Sequence, residues 1–206
     1  MFTGLSAFPL TPMNEHGIQE REFIHLVEHL AAAGVDSIGV LGSTGNYPYL
    51  SVAERACVAS LSVANAGTVP VVVGIGALRT RDVLANAERA QQAGASGLLL
   101  APVSYQKLTD DEVYDLFATV SRSLSVPLCV YDNPGTTHFD FSDELHGRIA
   151  QLPQVRSIKI PPVVNDSEKA RERVVRLRAL IPSEVTIGIS GDPAAATGLN
   201  AGCDAW

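Results

Sequence analysis

The sequence of 206 residues is poor in several features that mark particular classes of protein. Lysine and arginine total 15 against 22 acidic residues, which gives a formal net charge of -7, and no basic cluster interrupts this balance. A surface for nucleic acid or anionic membrane is therefore not expected. No apolar run approaches the ~18–20 residues of a membrane-spanning helix. The first residues also lack the basic start and apolar stretch of a signal peptide.

Cysteine is scarce as well. Cys57, Cys129 and Cys203 are odd in number and far apart, which argues against a disulfide framework and predicts reduced, mostly buried thiols in a cytoplasmic protein. No cysteine and histidine cluster has the spacing of metal ligands, so neither a metal site nor a cofactor is predicted.

Apolar residues are abundant, at 46% of the chain against 18% charged, so a large core is expected. Seven apolar runs recur at nearly constant intervals: Leu5–Leu10, Val35–Leu41, Val69–Ile75, Gly97–Ala101, Val126–Tyr131, Val155–Ile160 and Val185–Ser190. Most are continuous rather than alternating, which is typical of parallel strands buried on both faces. Helical patterns fill the gaps, and Ser51 and Thr109 each begin a capping box.

Two architectures fit this β/α repeat, a doubly wound open sheet and a (β/α)8 barrel. An open sheet favours a glycine-rich nucleotide fingerprint, but the third glycine is missing after Gly74-Ile75-Gly76, where Arg79 stands. A barrel needs about 250 residues. We therefore predict an α/β chain whose residues 1–206 form a single TIM-barrel domain. It is truncated at the start of strand 8, near 202–206, and lacks C-terminal helices. Unpaired edges on the first and seventh strands are expected.

Lys159 is the strongest candidate for chemistry. The chain has three lysines, and only Lys159 lies inside an apolar strand. Burial disfavours the ammonium and lowers its pKa, so that the free amine can attack a carbonyl and form a Schiff base. The alternative is a structural lysine on an edge strand whose charged end reaches solvent.

Two further groups are predicted to lie near Lys159. Tyr131 ends the preceding strand, about 4.8 Å away across a sheet, although its ring could instead serve only packing. The turn at 42–45 offers two hydroxyls and backbone N–H groups that suit a small carboxylate or phosphate. A tight turn with helix caps remains the alternative there.

These residues resemble motifs of the dihydrodipicolinate synthase / N-acetylneuraminate lyase family, the pyruvate-dependent class I aldolases. The similar segments are Gly42-Ser43-Thr44-Gly45-Asn46, Tyr131-Asp132-Asn133-Pro134, Ser157-Ile158-Lys159 and Ser190-Gly191-Asp192. The resemblance runs the whole length of the chain in the family's order. It implies a (β/α)8 barrel followed by C-terminal helices, commonly assembled as a homotetramer, so a homo-oligomer (dimer or tetramer) is expected.

The resemblance also implies roles for individual residues. Lys159 would form the Schiff base with the keto carbon of pyruvate, and Tyr131 would shuttle protons. Ser43 would join Tyr131 in a hydroxyl relay, to which Tyr105 would contribute across a subunit interface. The substrate-binding candidates are Ser43, Thr44, Gly45 and Thr136.

Two departures from the family pattern bear on the substrate. Asn46 replaces the usual Glu, and Thr136 stands where the synthases carry an arginine that clamps the carboxylate of aspartate semialdehyde. A hydroxyl cannot replace a bidentate cation. The expectation is a Schiff-base lyase or aldolase that joins pyruvate, or a related 2-keto acid, to an aldehyde. The alternatives are 4-hydroxy-tetrahydrodipicolinate synthase proper and an inactive, keto-acid-binding member of the family.

Overall fold

The computed structural model describes residues 1–162 and 166–206. Seven parallel strands form one sheet in the order β1-β4-β5-β6-β7-β8-β9, so consecutive strands of the sheet are neighbours. Their bounds are β1 Ser6–Ala7, β4 Ser37–Val40, β5 Val71–Gly74, β6 Gly97–Leu100, β7 Leu128–Tyr131, β8 Val155–Ile160 and β9 Thr186–Ile189. A small antiparallel pair, β2 Met13–Asn14 and β3 Gly17–Ile18, lies outside this sheet. A doubly wound sheet would reverse its strand order, so that alternative is excluded.

Helices connect the strands. They are α1 Glu20–Ala32, α2 Val52–Asn65, α3 Thr80–Gln92, α4 Asp110–Ser121, α5 Pro134–Thr137, α6 Asp143–Ala150, α7 Ser167–Leu180 and α8 Ala195–Asn200. Both predicted capping boxes are confirmed, because Ser51 pairs reciprocally with Glu54 at α2 and Thr109 pairs with Glu112 at α4. Within the described residues, no helix is long and apolar enough to span a bilayer.

The prediction of unpaired edges on the first and seventh strands of the sheet is wrong. Ala205 forms parallel bridges with Gly4 on one side and Gly188 on the other. The backbone N–H of Gly4 donates to the Asp204 carbonyl at 2.8 Å, and the N–H of Ile189 donates to the Ala205 carbonyl at 2.9 Å. Residues 204–206 therefore occupy the eighth strand position and close the ring. The start of strand 8 was predicted near 202–206, but a stretch this short has no periodicity from which its pairing on both sides could be read.

One ion pair fastens this closing segment. The Asp204 carboxylate accepts a hydrogen bond from the backbone N–H of Ile187 at 2.7 Å and pairs with Arg178 of α7. The same guanidinium donates to the carbonyls of Val185 at 3.0 Å and Gly202 at 3.3 Å. Arg178 thus links the closing segment to α7, to the residues after α8 and to the start of β9.

The core lies between the sheet and its helices. Apolar side chains of the strands, such as Ile38, Leu98 and Ile158, are fully buried there. Phe23 of α1 and Phe117 of α4 are also fully buried and cover the outside of the sheet. A second, smaller cluster of Val72, Leu99 and Cys129 fills the inside of the ring. Lys159 borders this inner cluster, which places the candidate site within the barrel.

Candidate active site

The two principal candidates stand side by side on neighbouring strands. Tyr131 and Lys159 are register partners across β7 and β8, near the carboxyl ends of both strands. The predicted adjacency is therefore confirmed. Catalytic groups of barrel enzymes lie at this end of the sheet, so the pair has the right location for chemistry.

Lys159 lies between two aromatic rings. Its Nζ is 3.5 Å from the centroid of the Phe8 ring and 5.0 Å from the centroid of the Tyr131 ring. Burial lowers the pKa of Lys159 to about 8, although the nearby Asp192 carboxylate opposes this effect. A substantial fraction of the amine is consequently uncharged at neutral pH and able to act as a nucleophile.

A polar cluster extends from Tyr131. The Asn133 side-chain amide donates to the Tyr131 hydroxyl oxygen and to Ser43 Oγ, each at 3.0 Å. The two hydroxyl oxygens lie 3.5 Å from each other. Burial raises the pKa of Tyr131, while its contact with Ser43 opposes the rise. The phenol therefore stays protonated at neutral pH and can donate its proton.

Asn133 was not singled out from the sequence. It follows Tyr131 by two positions, and alternate residues of an extended segment project to the same side. That spacing is the signal that could have found it. Because the amide already donates to both oxygens, each hydroxyl keeps its own proton available for the other or for a substrate.

The turn after β4 presents two backbone donors. The N–H groups of Gly45 and Asn46 close the turn onto the carbonyls of Gly42 and Ser43, at 3.0 and 3.1 Å. Within the described residues, the N–H groups of Ser43 and Thr44 donate to no atom. They are the donors available to a carboxylate. The absence of a side chain at Gly45 allows the turn to pack closely, since a Cβ there would lie 3.0 Å from the Leu41 nitrogen.

Three of the sequence candidates lie outside the polar cluster. Tyr105 is 92% exposed and lies in the loop after β6. Thr136 is exposed on α5, and its hydroxyl donates to the Asn133 carbonyl at 3.3 Å. The side chain of Thr44 is exposed as well. The structure thus brings together Lys159 and Tyr131 with Ser43, whereas Tyr105 projects into solvent from this chain.

A buried ionisable pair lies behind Tyr131. Asp132 Oδ2 is 3.5 Å from Nε2 of His146 on α6, and both side chains are almost completely buried. The His146 ring stacks on Phe141 with 4.8 Å between centroids. Burial raises the pKa of Asp132 to about 7 and lowers that of His146 to about 3. Both side chains are therefore mainly uncharged in mildly acidic solution. The sequence did not predict this pair, because no local spacing pattern links residues that are 14 positions apart.

A second buried contact supports the floor of the site. Arg55 of α2 donates to the carbonyls of Gly76 at 2.9 Å and Gly74 at 3.0 Å, at the end of β5. Its guanidinium also lies 5.3 Å from the centroid of the Tyr47 ring. Burial raises the pKa of Tyr47, so this phenol too remains protonated. Among the described residues, no three His, Cys, Asp or Glu side chains converge in a metal-binding group.

Comparison with known proteins decides the family. A profile of the Dihydrodipicolinate synthetase family matches residues 1–204. The chain belongs to that family. A relative from Bartonella bacilliformis, named 4-hydroxy-tetrahydrodipicolinate synthase, is 32% identical over 203 residues. The alignment covers 98% of this chain and 67% of the relative. A relative of the same name from Azoarcus is 34% identical over 77% of this chain and 55% of its own length.

Solved structures of the family agree with this fold. A dihydrodipicolinate synthase from Agrobacterium tumefaciens superposes with a TM-score of 0.95 at 44% identity, covering 100% of this chain and 69% of that one. A prophage protein of the same family from E. coli, solved with pyruvate, superposes with a TM-score of 0.88 at 26% identity over 100% and 69%. Membership in the dihydrodipicolinate synthetase family places the chain among lyases of the class I aldolase type. The chain spans about two thirds of the length of these relatives or less.

Proposed function

We propose that this chain carries the Schiff-base centre of a lyase or aldolase that acts on pyruvate or a related 2-keto acid and an aldehyde. The observation that carries the proposal is the half-buried amine of Lys159, whose pKa falls to about 8 beside the Tyr131 phenol. The presence of pyruvate in the crystal of the E. coli family member supports this class of substrate.

The reaction follows from these groups. The neutral Lys159 amine attacks the keto carbon, the carbon–oxygen π bond breaks, and the oxygen takes a proton from Tyr131. The amine nitrogen returns a proton to the Tyr131 phenolate as the carbinolamine forms. Tyr131 then protonates the carbinolamine hydroxyl, which departs as water and leaves a protonated imine. The phenolate removes a proton from the adjacent carbon to give an enamine. The enamine attacks the aldehyde carbon, the new carbon–carbon bond forms, and the aldehyde oxygen takes the proton back from Tyr131. Water hydrolyses the product imine and restores Lys159.

Proton transfer is the task of the cluster around Tyr131. Asn133 donates to both hydroxyl oxygens, so the Tyr131 proton is directed towards Ser43 or towards the substrate. After giving its proton to the carbinolamine oxygen, the phenolate accepts hydrogen bonds from Asn133 and Ser43. Those two donors stabilise the negative charge while it lasts. Ser43 and Thr44 bind the keto-acid carboxylate with the two backbone N–H groups that the turn leaves available.

The second substrate is an aldehyde that does not need an arginine clamp. Thr136 is exposed at the edge of the site, and its hydroxyl is engaged with the Asn133 carbonyl. A neutral hydroxyl in this position disfavours a second carboxylate. The names of the relatives favour a second candidate, 4-hydroxy-tetrahydrodipicolinate synthase. Turnover of aspartate semialdehyde with pyruvate, compared with uncharged aldehydes, distinguishes the two.

Exchange of the pyruvate methyl protons in heavy water tests the proposal without an aldehyde. Enamine formation and its reversal replace these protons by deuterium, so proton NMR should show a declining methyl signal. Lys159→Arg should abolish the exchange, and the exposed Lys107→Arg should leave it unchanged. A full-length protein that binds pyruvate without exchange would instead be the inactive keto-acid-binding member.

The remaining features of this protein follow the family in the proposal. Residues 1–206 act as one barrel domain that works in a homo-oligomer, and the exposed Tyr105 supports a role at a subunit contact. The three unpaired thiols support a reducing, cytoplasmic location.

A further inference from the structure

Phe8 is the aromatic side chain nearest to the reactive amine. It follows β1 directly, and its ring packs inside the barrel against the cluster of Val72, Leu99 and Cys129. The ring centroid lies 3.5 Å from Lys159 Nζ. That distance is well inside the ~6 Å limit at which a cation is attracted to a ring face.

Two glycines make room for this ring. A Cβ at Gly39 of β4 would lie 2.4 Å from the Phe8 ring, and one at Gly42 would lie 3.0 Å from it. Any side chain at Gly39 would therefore displace the ring from the amine. Phe8 also lines, together with Lys159, a cavity of about 40 Å³. The position of the ring is thus set by the strand next to it.

The charge on Lys159 Nζ changes during the proposed reaction. The free amine is neutral, whereas the resting ammonium and the imine with a keto acid are cationic at the same nitrogen. A ring face stabilises only the cationic forms, because its quadrupole is negative above the plane. Burial alone acts in the opposite direction and penalises every charged form of the nitrogen.

We propose that Phe8 is a catalytic residue whose ring face stabilises the positive charge on Lys159 Nζ, both in the ammonium and in the protonated imine. The part that concerns the imine rests on the proposed function. The part that concerns the ammonium does not, because it depends only on the contact between ring and nitrogen.

Of the two rings within cation–π distance of the amine, Phe8 makes the closer contact. The Tyr131 ring lies farther away, at 5.0 Å. Burial raises the pKa of the Cys129 thiol to about 11, so it carries no charge at neutral pH. Asp192 is the remaining charged group that acts on Lys159, and it too favours the ammonium. Both Asp192 and Phe8 therefore oppose the effect of burial, and removing either should lower the pKa of Lys159.

Titration of Lys159 by NMR tests the ammonium part directly. The chain has three lysines, so isotope-labelled lysine gives three ε-carbon signals, and Lys159→Arg identifies the relevant one. Phe8→Leu keeps an apolar side chain but removes the ring face. Its Lys159 should bind a proton about 2- to 30-fold more weakly, the range expected for a cation–π contact. An unchanged or higher proton affinity would overturn the proposal.

Fluorination separates the electrostatic effect from packing. Phenylalanine with one, two or three fluorines at position 8 keeps its shape while the negative ring face weakens step by step. At pH 10, where most of the Lys159 amine is free and only the imine is cationic, the yield of imine trapped at equilibrium with pyruvate should fall with each fluorine, to a total of about 2- to 30-fold. Phe2 packs against the same inner cluster, whereas the cation–π contacts of the amine within the described residues are with Phe8 and Tyr131, so the same series at Phe2 should leave the yield unchanged.

The outcomes separate the two proposals. If the wild-type protein forms no imine while Phe8→Leu still weakens proton binding, the proposed function fails and the role of Phe8 at the ammonium stands. If imine forms and neither the fluorine series nor the titration responds, Phe8 only fills space and this proposal is refuted.

Discussion

The pH dependence of imine formation provides a quantitative prediction. Burial lowers the pKa of Lys159 to about 8, against an ordinary value of about 10.4. At pH 7 roughly a tenth of the amine is then free, compared with roughly one part in 2,500 for an exposed lysine. The barrel therefore increases the reactive fraction by roughly 200-fold. Because the amine must be neutral to attack, the rate should rise about tenfold per pH unit until about pH 8 and level off above it.

The rate can be measured with a small, fixed concentration of pyruvate and quenching by cyanoborohydride, followed by mass spectrometry. Asp192→Asn is the informative variant, because its carboxylate raises the pKa of Lys159. Without that charge the plateau should begin at a lower pH. A wild-type rate that continues to rise up to pH 10 would show that Lys159 is solvated like an ordinary lysine. A plateau that moves to higher pH in Asp192→Asn would refute the electrostatic reasoning.

Three other predictions concern different parts of the molecule. Tyr131→Phe should keep the fold and slow proton exchange of pyruvate by ~10²–10⁴-fold; wild-type exchange would reduce the tyrosine to a packing residue. Between about pH 4 and 6.5, folded His146 is neutral and folded Asp132 is protonated. Over this range His146 therefore makes the free energy of unfolding rise with pH, whereas Asp132 makes it fall. The free energy of unfolding of Asp132→Asn, measured in urea, should therefore increase by about 2 kcal/mol more from pH 5 to pH 7 than that of the wild type. An equal increase would contradict the raised pKa of Asp132 in the buried pair. Asp204→Asn should lower the melting temperature by several degrees, because about 1.5–3 kcal/mol of charged hydrogen bonding is lost, whereas the exposed Asp111→Asn should not.

The parts of the site that lie on strands could be predicted from the sequence. Tyr131 and Lys159 occur one repeat apart, and consecutive strands of a β/α repeat are neighbours, so their contact follows from chain order. The capping boxes at Ser51 and Thr109 were equally legible, since their partners lie three residues away. Each of these features depends on local spacing or on the order of the strands.

The features that sequence reasoning missed depend on contacts between distant segments. Phe8 approaches Lys159 only because Gly39, on another strand, leaves space for its ring. Residues 204–206 close the sheet by pairing with two strands at opposite ends of the chain, with Ala205 bridged to both. His146 meets its partner only after α6 has packed. A glycine inside an apolar strand can indicate a close approach, but it does not name the residue that approaches.

Borohydride trapping followed by peptide mapping tests the central claim most directly. The full-length protein, incubated with pyruvate and reduced, should gain one reduced pyruvyl group, located on the peptide that contains Lys159. Lys159→Arg should gain none, and the exposed Lys107→Arg and Lys169→Arg variants should label like the wild type. A label on Lys107 or Lys169, or an intact protein that gains no label at all, would contradict the assignment of Lys159 as the Schiff-base residue.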